Sequence, residues 1–353
     1  MGALGRAERL TLGAIVLITA VAGVMRYAGG VPEAVAFVCA GLSLAGLAWM
    51  VSFSTEQLGR RFGPGATGLM QSTLGNLPEF FVVIFALQAH QRTVAETAIL
   101  GSILVNALLV LGLVIIAGAR RARDGVMRFS TQLPNDTATL LLISTFIIVL
   151  IGLTTSSKDL ASHHTKAISI VGAVVLLVVY GTWLRQYLKG DPVPGEEEEP
   201  ARVPVALSAV FLLCAGVASA FVSDWFVHAL QPTITSAHIS QAFAGLVIVA
   251  IAGNAVENVT GIVLAHKGRS ELAISVVKNS VAQIAAFLYP ALVLVSLLTA
   301  TTLTFALAPV YIGALLGTAV IVWQITGDGE ATVFEGAALI ATFVVLATVA
   351  AFE

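Results

Sequence analysis

Two glutamates lie deep inside apolar stretches of this chain, and each closes the same short motif, Gly75-Asn76-Leu77-Pro78-Glu79 and Gly253-Asn254-Ala255-Val256-Glu257. An ionised carboxylate at the centre of a bilayer costs at least about 2.5–3.5 kcal/mol, even on the lenient insertion scale. Glu79 is thirteen residues into its stretch and nine from its end, too deep to reach water by bending outward. Each glutamate must therefore hold a cation, take up a proton or hydrogen-bond a neighbour. Gly75, Pro78 and Gly253 loosen the helix beside them and free carbonyl oxygens, which hydrocarbon tolerates only around a protein-lined cavity. Two carboxylates, the side-chain oxygens of Asn76 and Asn254, and freed carbonyls make an all-oxygen set that suits a hard cation such as Ca2+. Two glutamates neutralise one divalent cation or take two protons, and competition between those occupants is sufficient for exchange.

The motifs belong to a longer repeat. At a constant offset of 178 residues, Gly75-Asn76 matches Gly253-Asn254, Glu79 matches Glu257 and Ser102 matches Ser280. An amide follows each serine, Asn106 or Gln283, one place out of register. A hydroxyl at a membrane helix contact is common, so each serine is equally readable as packing or as part of the site. A single buried glutamate could merely bond a neighbouring helix; a matched pair is harder to read that way. Five predicted spans separate the copies, an odd number, so they cross the membrane in opposite directions. Inverted repeats with polar, helix-interrupting residues point to a secondary transporter whose site lies near the midplane.

The elements that position these residues follow from composition. The 353 residues are 58% hydrophobic and 11% charged, with a mean hydropathy of +0.95. A soluble domain carries about 25% charged residues, so a water-soluble enzyme and a disordered chain are both excluded. Eighteen basic against twenty acidic residues give no sign of a nucleic-acid partner. Cys39 and Cys214 sit alone in apolar stretches as small hydrophobes. Eleven candidate spans appear, at about 10–28, 32–53, 66–88, 95–118, 136–154, 167–187, 203–224, 237–265, 271–297, 304–325 and 332–352. The first lacks an Ala-x-Ala exit and reads as a mature helix rather than a signal peptide. With the N-terminus in the cytoplasm, thirteen basic residues fall on the cytoplasmic side and four outside, which places the C-terminus outside. The longest polar break, Gly190 to Pro200 with Glu196-Glu197-Glu198-Glu199, divides the halves as a solvated linker or a cation-sensing segment.

The residues resemble the Ca2+/H+ antiporter (CAX) family of the calcium/cation antiporter superfamily. The stretch Ser54-Thr55-Glu56-Gln57-Leu58-Gly59, through Gly68-Leu69 and on to Glu79, resembles the family's first signature. Gly101-Ser102-Ile103-Leu104-Val105-Asn106 resembles the segment after it, and Gly253 to Glu257 is similar to the second signature. Asp328-Gly329-Glu330 and Glu335-Gly336 resemble the last loop and helix. The resemblance implies an all-α polytopic membrane protein: an extra helix over 1–30, a five-helix repeat over 31–189, an acidic cytoplasmic linker over 190–202 and an inverted five-helix repeat over 203–353. It also implies cation coordination by Glu79 and Glu257, with Asn106, Gln283, Ser102 and Ser280 as neighbouring ligands or proton carriers. The chain departs from the pattern at Leu77-Pro78, at Asn258 and at Lys278-Asn279-Ser280-Val281.

The expected function is antiport of Ca2+, or a similar cation, against protons, with no further cofactor and with the lipid bilayer as surroundings. Na+-coupled or other divalent exchange is the alternative; an intramembrane acid/base enzyme would leave the inverted duplication without a reason. The short loops make the plasma membrane the economical location. Two more charges stand apart. Glu335 begins the last span, as an interfacial group or part of a proton path. Lys278, two residues before Ser280, either snorkels to the cytoplasmic surface or acts as a counter-ion to the glutamates.

Overall fold

A computed structural model of the chain describes residues 4–28, 30–62, 74–187 and 201–353. Gly68-Leu69, the first part of the third predicted span and the acidic break at 190–200 lie outside the described residues. In a bilayer every backbone group must be satisfied within its own segment, and the apolar runs are accordingly helical. The first half contains α1 (Arg6–Ala28), α2 (Glu33–Phe62), the short α3 (Leu77–Gln88), α4 (Arg92–Arg121), α5 (Gln132–Ser156) and α6 (Thr165–Tyr187). The second contains α7 (Val205–Ser236), α8 (Gln241–Gly253), α9 (Ala255–His266), α10 (Ser270–Leu298), α11 (Pro309–Thr326) and α12 (Val333–Ala351). Among the described residues nine helices are long and apolar enough to span, and α8 and α9 make a further pair bent by 62°. Strands β1 (Val126–Arg128) and β2 (Glu330–Thr332) form an antiparallel ribbon with Met127 opposite Ala331.

Three predicted boundaries move. Predicted span 203–224 continues to Ser236, carrying Pro232 inside α7. Predicted span 237–265 is broken at Asn254, where the glycine before it and the freed backbone bend the helix. Residues 304–308 are apolar but not helical, because Phe305 donates its backbone N–H to Ser169 Oγ at 3.2 Å and α11 begins at Pro309, whose ring suits a first helical turn.

Backbone geometry recurs at the sequence offset. Asn76 and Asn254 precede α3 and α9 at φ −92°, ψ 19° and φ −104°, ψ 17°. The turns after those helices close with Gln91 N–H on Ala86 O at 2.8 Å and Arg269 N–H on Leu264 O at 3.0 Å. Helices α4 and α10 each pass through a π-helical stretch, Val105–Val110 and Ile284–Leu288.

Loop contacts show which ends share a face. His90 Nδ1 lies 3.2 Å from Thr301 Oγ1, and Arg92 Nη2 donates to Thr304 Oγ1 at 3.3 Å, so α3 ends and α4 begins beside the α10–α11 loop. At the other end of α4, the β1–β2 ribbon forms and Ser130 N–H donates to Glu271 Oε2 at 2.7 Å at the start of α10. Helix α9 ends at this second face, so α3 and α9 run in opposite directions. Arg128 bridges Asp124 at 2.6 Å and Glu330 at 3.0 Å there, and its guanidinium holds the Asp124 carboxyl below the usual range. Helix α4 is central, with Ile99, Leu100, Ile103 and Leu104 wholly buried, whereas α1 buries only Ile15 and Ala22 and leaves Leu10, Val16 and Leu17 exposed.

Candidate functional site

The site forms where α4 meets the end of α8. Glycine makes that approach possible. A Cβ on Gly101 would collide with the Leu246 carbonyl oxygen and lie 2.6 Å from Leu246 Cα, and one on Gly245 would collide with Thr97 Oγ1. With the two backbones this close, Ser102 and Asn106 on α4 reach Asn254 at the break. Glu79 comes in from the first turn of α3, where Pro78 fits the helix start and a Cβ on Gly253 would lie 3.9 Å from its side chain.

Four side chains from three places in the chain then converge. Ser102 Oγ donates to Glu79 Oε1. Asn254 Nδ2 reaches Glu79 Oε1 at 3.2 Å, Ser102 Oγ at 3.0 Å and the Ala250 carbonyl at 3.0 Å. Asn106 Nδ2 donates to Asn254 Oδ1 at 3.0 Å and to the Ser102 carbonyl at 2.9 Å. All four are buried, Ser102 and Asn106 completely. Yet Glu79 Oε2 and Asn106 Oδ1 are buried oxygens with no hydrogen-bond partner among the described residues. Buried acceptors left unpaired are costly, and the Glu79 carboxylate oxygen is one that a cation or a proton can satisfy.

The remaining expected residues are arranged differently. Glu257 is half-buried on the turn after Asn254. Ser280 is buried with its Oγ unpartnered, Gln283 is half-buried, and Asn76 is buried with Nδ2 unpartnered. Asn258, beside Glu257, also leaves a buried Oδ1 without a partner. No group of three or more His, Cys, Asp or Glu gathers among the described residues, so the oxygen cluster relies on amides and hydroxyls beside its carboxylates.

The Lys278 side chain is 2% exposed, and its Nζ donates to Thr326 Oγ1 at 3.1 Å. The hydroxyl at the end of α11 intercepts the amine. Thr326 carries no sequence signal of this partnership, and neither does the close approach at Gly245. Glu335 caps α12: its Oε2 accepts from Thr332 N–H and Oγ1, each at 2.8 Å, in a reciprocal capping box.

Comparisons with known proteins agree with this architecture. The family model described as sodium/calcium exchanger protein matches residues 33–185 and 207–352, two blocks that flank the break between the halves. A vacuolar calcium ion transporter of Schizosaccharomyces pombe is 30% identical over 316 residues, covering 86% of this chain and 76% of the relative. The Ca(2+)/H(+) antiporter ChaA of Bacillus subtilis is 27% identical over 324 residues, covering 90% and 92%. The solved structure of native YfkE superposes with a TM-score of 0.79 at 26% identity, covering 98% of this chain and 99% of that one.

Proposed function

The chain belongs to the sodium/calcium exchanger protein family, and we propose that it is a secondary antiporter exchanging Ca2+, or a similar cation, for protons by alternating access. The observation that carries this reading is the convergence of Glu79, Ser102, Asn106 and Asn254 at a break in α8, with two buried oxygens unpaired. Glu79 and Glu257 alternate between a divalent cation and protons; both occupants neutralise the pair, so each is displaced by the other. Ser102, Ser280, Asn76, Asn254 and Gln283 supply the remaining oxygens from the two halves. Ca2+ and protons are the cargo, and no resident cofactor enters the scheme.

We also propose that residues 31–189 and 203–353 are inverted five-helix repeats after the extra helix α1; the turns and π-helical stretches that recur at the offset support this. The basic residues Arg120, Arg121, Arg123, Arg128, Lys267 and Arg269 lie in the last turn of α4, the ribbon and the connecting turns that meet at one face, in keeping with a cytoplasmic face there and the N-terminus inside. Residence in the plasma membrane is the simplest assignment. The test is purified protein in sealed vesicles, with a pH step imposed and Ca2+, Mn2+, Na+ and K+ offered in turn. Ca2+ uptake driven by the pH step is expected. Flux without coupling to protons would make the protein a passive pathway, and dependence on Na+ would move it to the other branch of the family.

A further inference from the structure

Resting on the exchange reading above, we infer that Asn106 is a positioning residue that holds the site in its cation-excluding form by fixing which way the Asn254 amide points. The amide orientations follow from partners that carry no hydrogen. Asn106 Nδ2 is 2.9 Å from the Ser102 carbonyl, which can only accept, so its nitrogen must face that oxygen and also donate to Asn254 Oδ1 at 3.0 Å. Asn254 Nδ2 is 3.0 Å from the Ala250 carbonyl, again only an acceptor, so the Asn254 amide turns its N–H side to Glu79 and Ser102 and its oxygen away, toward Asn106.

The consequence is chemical. In this arrangement Glu79 Oε1 meets donors, from Ser102 Oγ and Asn254 Nδ2, where a cation would need oxygens. The two donors serve the carboxylate as a cation would. Loading Ca2+ requires Asn254 to turn its oxygen inward, and that turn breaks the Asn106–Asn254 bond. The hold depends on a feature of α4. Asn106 lies in the π-helical stretch Val105–Val110, and its side chain donates to the Ser102 carbonyl, which also accepts from the Val105 N–H, so the amide is tied back onto its own helix. The register mate at the 178-residue offset is Ile284, which has no such group, so the restraint exists on one side of the site only.

The test is Ca2+ binding and pH-driven Ca2+ uptake by the full chain in vesicles, comparing the wild type with Asn106→Ala and Asn106→Ser. Serine keeps a hydroxyl for the Ser102 carbonyl but is too short to reach Asn254. Both variants are expected to bind Ca2+ about fivefold more tightly, the factor one ordinary hydrogen bond carries. KM should fall, maximal rate should fall with it because release slows, and the pH at which protons displace half the Ca2+ should move toward acid. Weaker binding in both variants would make Asn106 a direct ligand and overturn the inference; so would unchanged affinity with an unchanged pH midpoint. Thermal unfolding in detergent with and without Ca2+ reads the same affinity on any variant that fails to insert into vesicles. Proton-driven uptake by the wild type, run in parallel, judges the exchange reading separately from the role of Asn106.

Discussion

The two copies of the Gly-Asn-x-x-Glu motif share a backbone and differ in their side-chain chemistry. Asn76 and Asn254 hold nearly the same dihedral angles, and the helices after them close with matching turns. Around Glu79, however, Ser102 donates into the carboxylate and Asn106 anchors the opposing amide; around Glu257, Ser280 is left unpartnered and Ile284 stands where Asn106 would. Gly101 lets α4 touch the Leu246 backbone, while its register mate Asn279 carries a full side chain. Leu100 is matched by Lys278, which leans away to Thr326. The two copies share what places a carboxylate at a helix break. They do not share the hydrogen bonds that satisfy that carboxylate among the described residues, so one copy is closed by donors and the other is not.

The largest test removes each carboxylate in turn. Glu79→Gln and Glu257→Gln should each abolish coupled exchange, because the amide keeps the shape but loses both charge and titratable proton. The comparison sharpens if thermal stability in detergent falls for Glu79→Gln and holds for Glu257→Gln, since among the described residues Glu79 is tied to Ser102 and Asn254 and Glu257 has no such side-chain network. Normal proton-driven flux in either variant would remove that residue from the mechanism.

Next in size is the packing contrast. Gly101→Ala should cost about 3 kcal/mol or more, because its Cβ would press into fixed backbone of α8. Asn279→Ala should cost no more than about 1 kcal/mol, as among the described residues Asn279 makes one long side-chain bond, to Ser275 at 3.4 Å. Equal melting shifts for the two would show that the halves pack alike at this level.

The pH dependence is intermediate. Protons and Ca2+ occupy the same carboxylates in this scheme, so lowering pH on the Ca2+ side should weaken binding, with between one and two protons released per Ca2+ taken up. Calorimetry in buffers of different ionisation heat counts them. Binding that does not change between pH 5 and 8 would end direct competition.

The smallest effect is expected at Lys278→Leu, which makes the second half match Leu100 of the first. The loss of one bond to Thr326 should change stability by about 1 kcal/mol. Ca2+ affinity should stay within about twofold. A tenfold tightening would make the lysine a counter-ion to the pair.

Much of this architecture was legible before any coordinates. Apolar runs interrupted by Gly, Pro and charge mark the spans because hydrocarbon leaves the backbone no other partner than itself. Glu79 and Glu257 stand out because a charge at that depth demands a use. The repeat offset needs only counting. What could not be read is where side chains end up once helices cross. Lys278 was legible as a buried-span lysine, but its partner sits 48 residues later at the end of another helix. Residues 304–308 look helical by hydropathy, yet a hydroxyl from α6 and Pro309 hold them otherwise.

Composition, periodicity and the paired motifs by themselves determined an all-α membrane protein with two glutamates at helix-breaking sites, because burial cost and backbone satisfaction act on local sequence. Only the tertiary structure decided that Asn254 faces Glu79 with its nitrogen, that Asn106 holds it there, and that Lys278 serves Thr326. Those outcomes depend on distances between helices 148 and 175 residues apart in the chain, set by glycines whose missing side chains permit contact. A hydrogen bond is won or lost over a few tenths of an ångström, a scale that spacing along a sequence does not encode.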